Sequence, residues 1–221
     1  MEFPLRQTKG HIIATIEGED WLVDTGSPLS FGDIDLVLDG WKIQLLAECM
    51  GIGAKFLTEH TDIPLSGLIG TDILNSLDVV FDLPKGVSRL SPELAVHTGA
   101  EIPISLCMGV PVLSARINGE HMNCFFDTGA QVSYAPCCIL RQVDQIGIFQ
   151  DFYPTMGAFE TILHWAELKL GNTLFRIRCG TMPDFMAGMM NISGATCIIG
   201  NEILQDHQIG YFPRQGVLVI E

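Results

Sequence analysis

The sequence predicts an all-β protein with short helices, folded as two related lobes within one chain. Three observations carry this. An apolar run into an acid, Leu22-Val23-Asp24-Thr25-Gly26-Ser27, recurs as Phe125-Phe126-Asp127-Thr128-Gly129-Ala130, with the two aspartates 103 positions apart (127 − 24). A second step, Leu68-Ile69-Gly70, recurs as Ile198-Ile199-Gly200 at a spacing of 130 (198 − 68). Between these motifs, short apolar and β-branched runs alternate with turn dipeptides such as Asp39-Gly40 and Asn118-Gly119, which is the pattern of hairpins.

The elements follow in order. Residues 5–31 read as β-structure around Ile12, Ile13 and Ile16, with a turn at Gly18-Glu19-Asp20 and Trp21-Leu22-Val23 leading into Asp24. Residues 34–46 form a second β stretch broken at Asp39-Gly40, and 54–61 a short helix. Leu68-Ile69-Gly70 then steps into a helix with Thr71 or Asp72 near its N-cap, and Val79-Val80-Phe81 closes the half. The chain divides into an N-terminal lobe 1–90, a linker 91–101 carrying Pro92 and Gly99, and a C-terminal lobe 102–221. Strands restart at 102–104, 112–117 and 122–126; 139–150 is ambiguous between helix and strand. A hairpin tip with aromatic flanks spans 152–159, a further hairpin turns at Gly171-Asn172, and Val217–Ile220 closes the chain.

The offset of 130 also aligns Ile73 with Ile203, Leu74 with Leu204, Val79 with Ile209, Phe81 with Tyr211 and Gly86 with Gly216. Since the Asp-Thr-Gly pair has offset 103, the second half holds 27 extra residues (130 − 103) between its two motifs. The two halves should differ in function there.

Composition bounds the partners. A formal charge of −14 over 221 residues argues against nucleic acid, whose phosphates would be repelled. No apolar run approaches the ~20 residues of a membrane helix. The N-terminus lacks a basic-then-apolar leader, so a cytoplasmic location is expected, with the seven cysteines reduced. No cysteine pair has metal-ligand spacing, His164-Trp165-Ala166-Glu167 lacks a second histidine, and Gly51-Ile52-Gly53 lacks the context of a phosphate loop. Met182, Met186, Met189 and Met190 read as flexible packing.

An aspartate at the end of an apolar strand is costly unless neutralised, hydrogen-bonded or shared. Paired Asp-Thr-Gly motifs, each followed by apolar-apolar-Gly, resemble the pepsin and retropepsin superfamily of aspartic peptidases, with each half the size of one retropepsin subunit. The resemblance implies a bilobal pepsin-like fold and aspartic endopeptidase activity on a peptide or protein substrate, without cofactor or metal, in a monomer. It assigns Asp24 and Asp127 as the catalytic pair. As in that family, where the effect is well known, they would share one proton because two adjacent carboxylates cannot both ionise. Thr25 and Thr128 would bond across the lobe interface. Gly26 and Gly129 would aim amides at the carboxylates. Ser27 and Ala130 complete the loops, and a Ser27 hydroxyl bonded to Asp24 would make Asp24 the more acidic partner. Leu68, Ile69, Gly70, Ile198, Ile199 and Gly200 would thread past the loops. Family members close the cleft with a hairpin flap. Only 46 positions separate Asp24 from Gly70, so a single flap is expected in the second lobe, within 149–161, with Tyr153, Pro154, Thr155, Met156 and Gly157 at its tip. The alternative, from another class, is a catalytically silent peptide-binding or scaffold module with the same fold.

Overall fold

The structure, a computed structural model, describes residues 1–154, 156–191 and 193–221. Hairpins build most of it. In the first half, β1 (Glu2–Thr8), β2 (His11–Ile16) and β3 (Glu19–Val23) form a meander. Its second turn is Glu17-Gly18, both with positive φ (50° and 85°). This is the primed geometry that matches strand twist, and it places the turn ahead of the predicted Gly18-Glu19-Asp20, leaving Glu19 and Asp20 in β3. Next come β4 (Phe31–Gly32), the hairpin β5 (Leu36–Leu38)–β6 (Trp41–Ile43), and a small hairpin of β7 (Glu48–Cys49) and β8 (Ile52–Gly53). Helix α1 covers Ala54–Thr61, as predicted, burying Ala54 and Leu57. β9 (Gly67–Ile69) runs parallel to β3, α2 (Thr71–Leu74) follows, and β10 (Asp78–Asp82) pairs with β11 (Val87–Ser91). The N-cap of α2 is Gly70 rather than Thr71 or Asp72, whose side chains are used elsewhere: Thr71 Oγ1 donates to Ser27 O and Asp72 accepts from Ser30.

The second half repeats the plan with β12 (Ala100–Cys107), β13 (Val110–Ile117), β14 (Glu120–Phe126) and β15 (Ser133–Ala135). The ambiguous 139–150 resolves into the end of α3 (Cys137–Leu140) and the start of β16 (Gln145–Tyr153). β16 hairpins with β17 (Gly157–Leu170), and β17 with β18 (Thr173–Thr181). Helix α4 (Asp184–Asn191) precedes β19 (Cys197–Ile199), a 3₁₀ turn (Asn201–Leu204), β20 (Ile209–Phe212) and β21 (Val217–Ile220).

The register of these pairings is itself a repeat. Parallel pairs Trp21↔Gly67, Leu22↔Leu68 and Val23↔Ile69 match Cys124↔Cys197, Phe125↔Ile198 and Phe126↔Ile199 at offsets 103 and 130. Leu5 donates to Gly86 O at 2.9 Å, and Ile104 to Gly216 O at 2.9 Å. The halves join through β10 and β20, whose partners are Val79↔Tyr211, Val80↔Gly210 and Phe81↔Ile209. Adding 130 to the first member of each pair reproduces the same set read in reverse, so a pseudo-twofold axis passes between Val80 and Gly210. The resulting antiparallel sheet runs β1-β11-β10-β20-β21-β12 across both halves. One apolar core spans it, with Trp21, Phe81, Phe126 and Tyr211 fully buried. Residues 92–99 connect β11 to β12. Arg214 ties the first of them down by donating to the carbonyls of Ser91, Pro92 and Glu93 while paired with buried Asp78.

Candidate active site

Each half brings its Asp-Thr-Gly stretch out of a core strand and turns it at the centre of the molecule. Asp24 N donates to Ile69 O (3.0 Å) and Asp127 N to Ile199 O (2.9 Å), so the apolar-apolar-Gly strands set where each aspartate begins. Gly70 and Gly200 permit the crossing. A Cβ on Gly70 would come within 2.7 Å of Ser27 O, and one on Gly200 within 2.6 Å of Val132 O. The glycine amides are held by Ser30 Oγ (2.8 Å) and Ser133 Oγ (3.1 Å). Ser30 and Ser133 are themselves related by the offset of 103, a signal that sequence inspection passes over.

The two loops are locked to one another by their threonines, both fully buried. Thr25 N donates to Thr128 Oγ1 (3.0 Å) and Thr128 N to Thr25 Oγ1 (2.9 Å). Each hydroxyl in turn donates to the strand entering the opposite loop, Thr25 Oγ1 to Phe126 O (2.7 Å) and Thr128 Oγ1 to Val23 O (2.8 Å). Four buried bonds in a closed reciprocal set leave the loops no independent position.

This brings Asp24 and Asp127 together. Each carboxyl overlies the other half's loop, and the two are near enough to act on one another's titration. A Cβ on Gly26 would lie 2.4 Å from Asp127 Oδ2, and one on Gly129 2.6 Å from Asp24 Oδ1. Only glycine fits at either position. Gly26 N and Ser27 N donate to Asp24 Oδ1 (2.8 and 3.0 Å), and Gly129 N and Ala130 N to Asp127 Oδ1 (2.9 and 3.1 Å).

Burial raises both carboxyls above the ordinary range. Asp127 rises well above it, because the charge of Asp24 adds to its desolvation. Asp24 is raised by desolvation and held back by the neighbouring Asp127 carboxyl and by the backbone N–H groups of Gly26 and Ser27. The two carboxyls titrate as one pair, and the charge of Asp24 favours the shared proton on Asp127. The expected serine contact is not made. The Ser27 hydroxyl donates to Leu29 O at 2.8 Å, not to Asp24. The loop bends so that the serine contributes only its backbone N–H.

Hairpin β16–β17 carries the residues expected at the flap. Its closing pair is Tyr153↔Gly157, with Gly157 at φ 81° and Met156 N donating to Tyr153 O at 3.0 Å; Thr155 lies outside the described residues. Tyr153, Met156, Phe149 and Phe159 pack against an apolar cluster of Val132, Tyr134, Met186, Met190 and Ile198. Val132 and Ile198 belong to the segments that build the Asp127 loop. Burial in this cluster pushes the Tyr153 phenol up. Sequence reasoning missed two partners. Tyr134 OH donates to Asp151 Oδ2 (2.5 Å) and Phe152 N to Asp151 Oδ1 (2.8 Å), tying the hairpin to the cleft floor. Burial raises Asp151, and Tyr134 is likewise pushed up. In the first half, Met50-Gly51 forms only the two-residue tip of β7–β8, and α1 begins directly after it. His164 is buried with Nδ1 3.2 Å from Val143 O, and the seven cysteines are unpaired.

No protein-family model matches the sequence, and no curated protein matches it. Among solved structures the chain is similar to Basic 7S globulin from soybean, with a TM-score of 0.56 at 10% identity over 100% of this chain and 94% of that one. Shorter matches are to Simian Foamy Virus (mac) protease (TM-score 0.30, 15% identity, 40% of this chain and 86% of that one) and EIAV protease complexed with the inhibitor HBY-793 (TM-score 0.32, 22% identity, 44% and 86%). The full-length match accords with the architecture already described: all-β, bilobal and pepsin-like. No helix among the described residues is long and apolar enough to cross a membrane.

Proposed function

We propose that this chain is an aspartic endopeptidase whose catalytic groups are Asp24 and Asp127, contributed by lobes 1–90 and 102–221. The observation that carries the reading is the pair of half-buried carboxyls, each lying over the other half's glycine, on loops locked by reciprocal threonine bonds. In this reading ionised Asp24 takes a proton from a water held between the carboxyls, and protonated Asp127 donates to the oxygen of the scissile carbonyl as the water attacks. The backbone donors of each loop hold the carboxyls so that little reorganisation accompanies the proton transfers. The hairpin excludes bulk water above them. Methionine, tyrosine and phenylalanine side chains beneath it favour peptides with bulky apolar residues beside the cut bond. Both aspartates come from one chain, so no second copy is needed.

The test is digestion of an unbiased peptide library from pH 3 to 8 with Asp24→Asn and Asp127→Asn in parallel. Cleavage that falls by about 10³-fold or more in each variant is the expected result; this is the scale on which members of a catalytic unit act. Activity should decline as pH rises through the raised pKa of Asp127, because the donor proton is lost. Cleavage that survives both substitutions would remove the dyad from the mechanism. Capture of peptides without cleavage at any pH would instead favour the binding-module reading.

A further inference from the structure

The hairpin reaches across the cleft and touches the other lobe. Side chains alternate along β16, so Asp151 and Tyr153 share the face turned toward Tyr134 and its cluster while Phe152 lies on the other. Asp151 is bonded to Tyr134 on the floor of its own half. Phe152 meets α1 of the first half, where Phe56 and His60 stand one helical turn apart and stack with ring centroids 4.3 Å apart at 17°. The Phe152 ring lies 5.2 Å from Phe56 and 4.4 Å from His60, tilted by 51° and 61°. These are preferred aromatic geometries.

α1 is itself firmly seated. Leu57 packs with Ile13, Leu22, Phe31, Ile63, Leu65 and Leu68, the apolar layer directly beneath the Asp24 strand. Phe56 and His60 lie on its outer part, half-buried and exposed respectively. The chain between Asp24 and Gly70 is too short for a second long hairpin, and α1 occupies part of it. The first lobe therefore meets the hairpin with a helix face.

We infer that Phe152, Phe56 and His60 form an aromatic clasp between the lobes, which positions the hairpin over the dyad and is opened and remade as a peptide enters and leaves. This rests on the peptidase reading for its functional consequence, not for its geometry. The three side chains are positioning residues: none touches the carboxyls. Peptide must pass between the hairpin and the loops, so the contact has to be weak enough to break. A few exposed or half-buried rings meet that requirement, because loss of such an aromatic pair shifts a two-state population by roughly three- to tenfold.

The test uses the full chain and two readouts. In hydrogen exchange on the unliganded protein, Phe152→Ala and Phe56→Ala should each speed exchange of the amides in Gln145–Tyr153 and residues 157–164 by roughly three- to tenfold. The double variant should be no faster than Phe152→Ala alone, which already removes both contacts to α1, and His60→Phe, which keeps the ring, should leave exchange as in the wild type. In peptide cleavage the same alanine variants should raise KM by a similar factor with a smaller change in kcat, while His60→Phe retains wild-type KM. Phe56→Ala could loosen α1 itself, and faster exchange confined to α1 would then identify a merely structural role and overturn the clasp. Unchanged hairpin exchange, or additive effects in the double variant, would overturn it as well. If no peptide is cleaved by the wild type, the peptidase reading fails, and the exchange measurements still decide the clasp.

Discussion

Burial sets the chemistry of Asp24 and Asp127 before any substrate arrives. Asp127 keeps its proton in the folded protein at pH values where an unfolded aspartate has released it. In that window the native state binds more protons than the unfolded one, so stability falls as pH rises, by about 1.4 kcal/mol for each unit of pKa displacement. Asparagine has nearly the same shape and can still accept from Gly129 N and Ala130 N, but it does not titrate. Asp127→Asn should therefore melt higher than the wild type near pH 7, with a much smaller difference near pH 4. Thermal unfolding at several pH values in this range would measure it. A gap independent of pH would mean that Asp127 titrates like an exposed carboxyl. The identity of the pair was legible in the sequence because two acids at strand ends, each followed by Thr-Gly, have few inexpensive explanations. The source of their asymmetry was not. The side-chain rotamer that turns the Ser27 hydroxyl toward Leu29 O leaves no trace in residue order.

At the scale of the element, hairpin β16–β17 is held at its floor by one bond that can be removed cleanly. Tyr134 is fully buried, and its hydroxyl is the side-chain donor to Asp151. Tyr134→Phe keeps the ring in the apolar cluster and leaves Asp151 Oδ2 without that donor. The cost should be about 1–3 kcal/mol. Most of it should fall on the hairpin, because among the described residues β16 pairs with β17 alone. Limited proteolysis within β16 should accelerate by about tenfold or more, with the global melting temperature lowered by only a few degrees. Equal protection in the variant would show that cluster packing alone holds the strand. Elements of this kind were readable where a local signal exists. Asp39-Gly40 and Asn118-Gly119 turn as predicted, with positive φ at all four residues, and α1 has the predicted bounds. The long hairpin expected in the second lobe from chain length is present there, with strands that extend beyond 149–161 in both directions. Its anchors were hidden. Tyr134 is 17 residues from Asp151, and Phe56 is 96 from Phe152 (152 − 56). Such meetings depend on how elements stack, and neither periodicity nor turn chemistry encodes that.

Across the whole molecule, the repeat extends to how the halves grip each other, but the grips are not identical. In one direction Asn75 Nδ2 donates to Gly109 O (2.8 Å) and its Oδ1 accepts from Tyr211 OH (2.5 Å). In the other, buried Asn201 Nδ2 donates to Gly10 O (2.8 Å) and Thr128 O (3.1 Å), while its Oδ1 accepts from Gln7 (2.9 Å). Gly10 and Gly109 are equivalent hairpin turns, each pressed against the other half, and both have positive φ. Asn201 thus links the first hairpin of one half to the Asp-Thr-Gly loop of the other through a single fully buried amide. Asn201→Ala would leave Gly10 O and Thr128 O without that donor at the centre of the interface, at a cost of about 2–4 kcal/mol for two stranded groups. The β10–β20 pairing and the threonine lock are shared equally between the halves, so neither half can lose its partner and keep its own edge covered. Urea unfolding of the variant should therefore keep a single transition with an unchanged m-value and a lower midpoint. Two resolved transitions would mean that each half holds its fold alone and that the dyad is assembled by docking of finished domains. A single transition places the assembly of the carboxyl pair within the folding step itself.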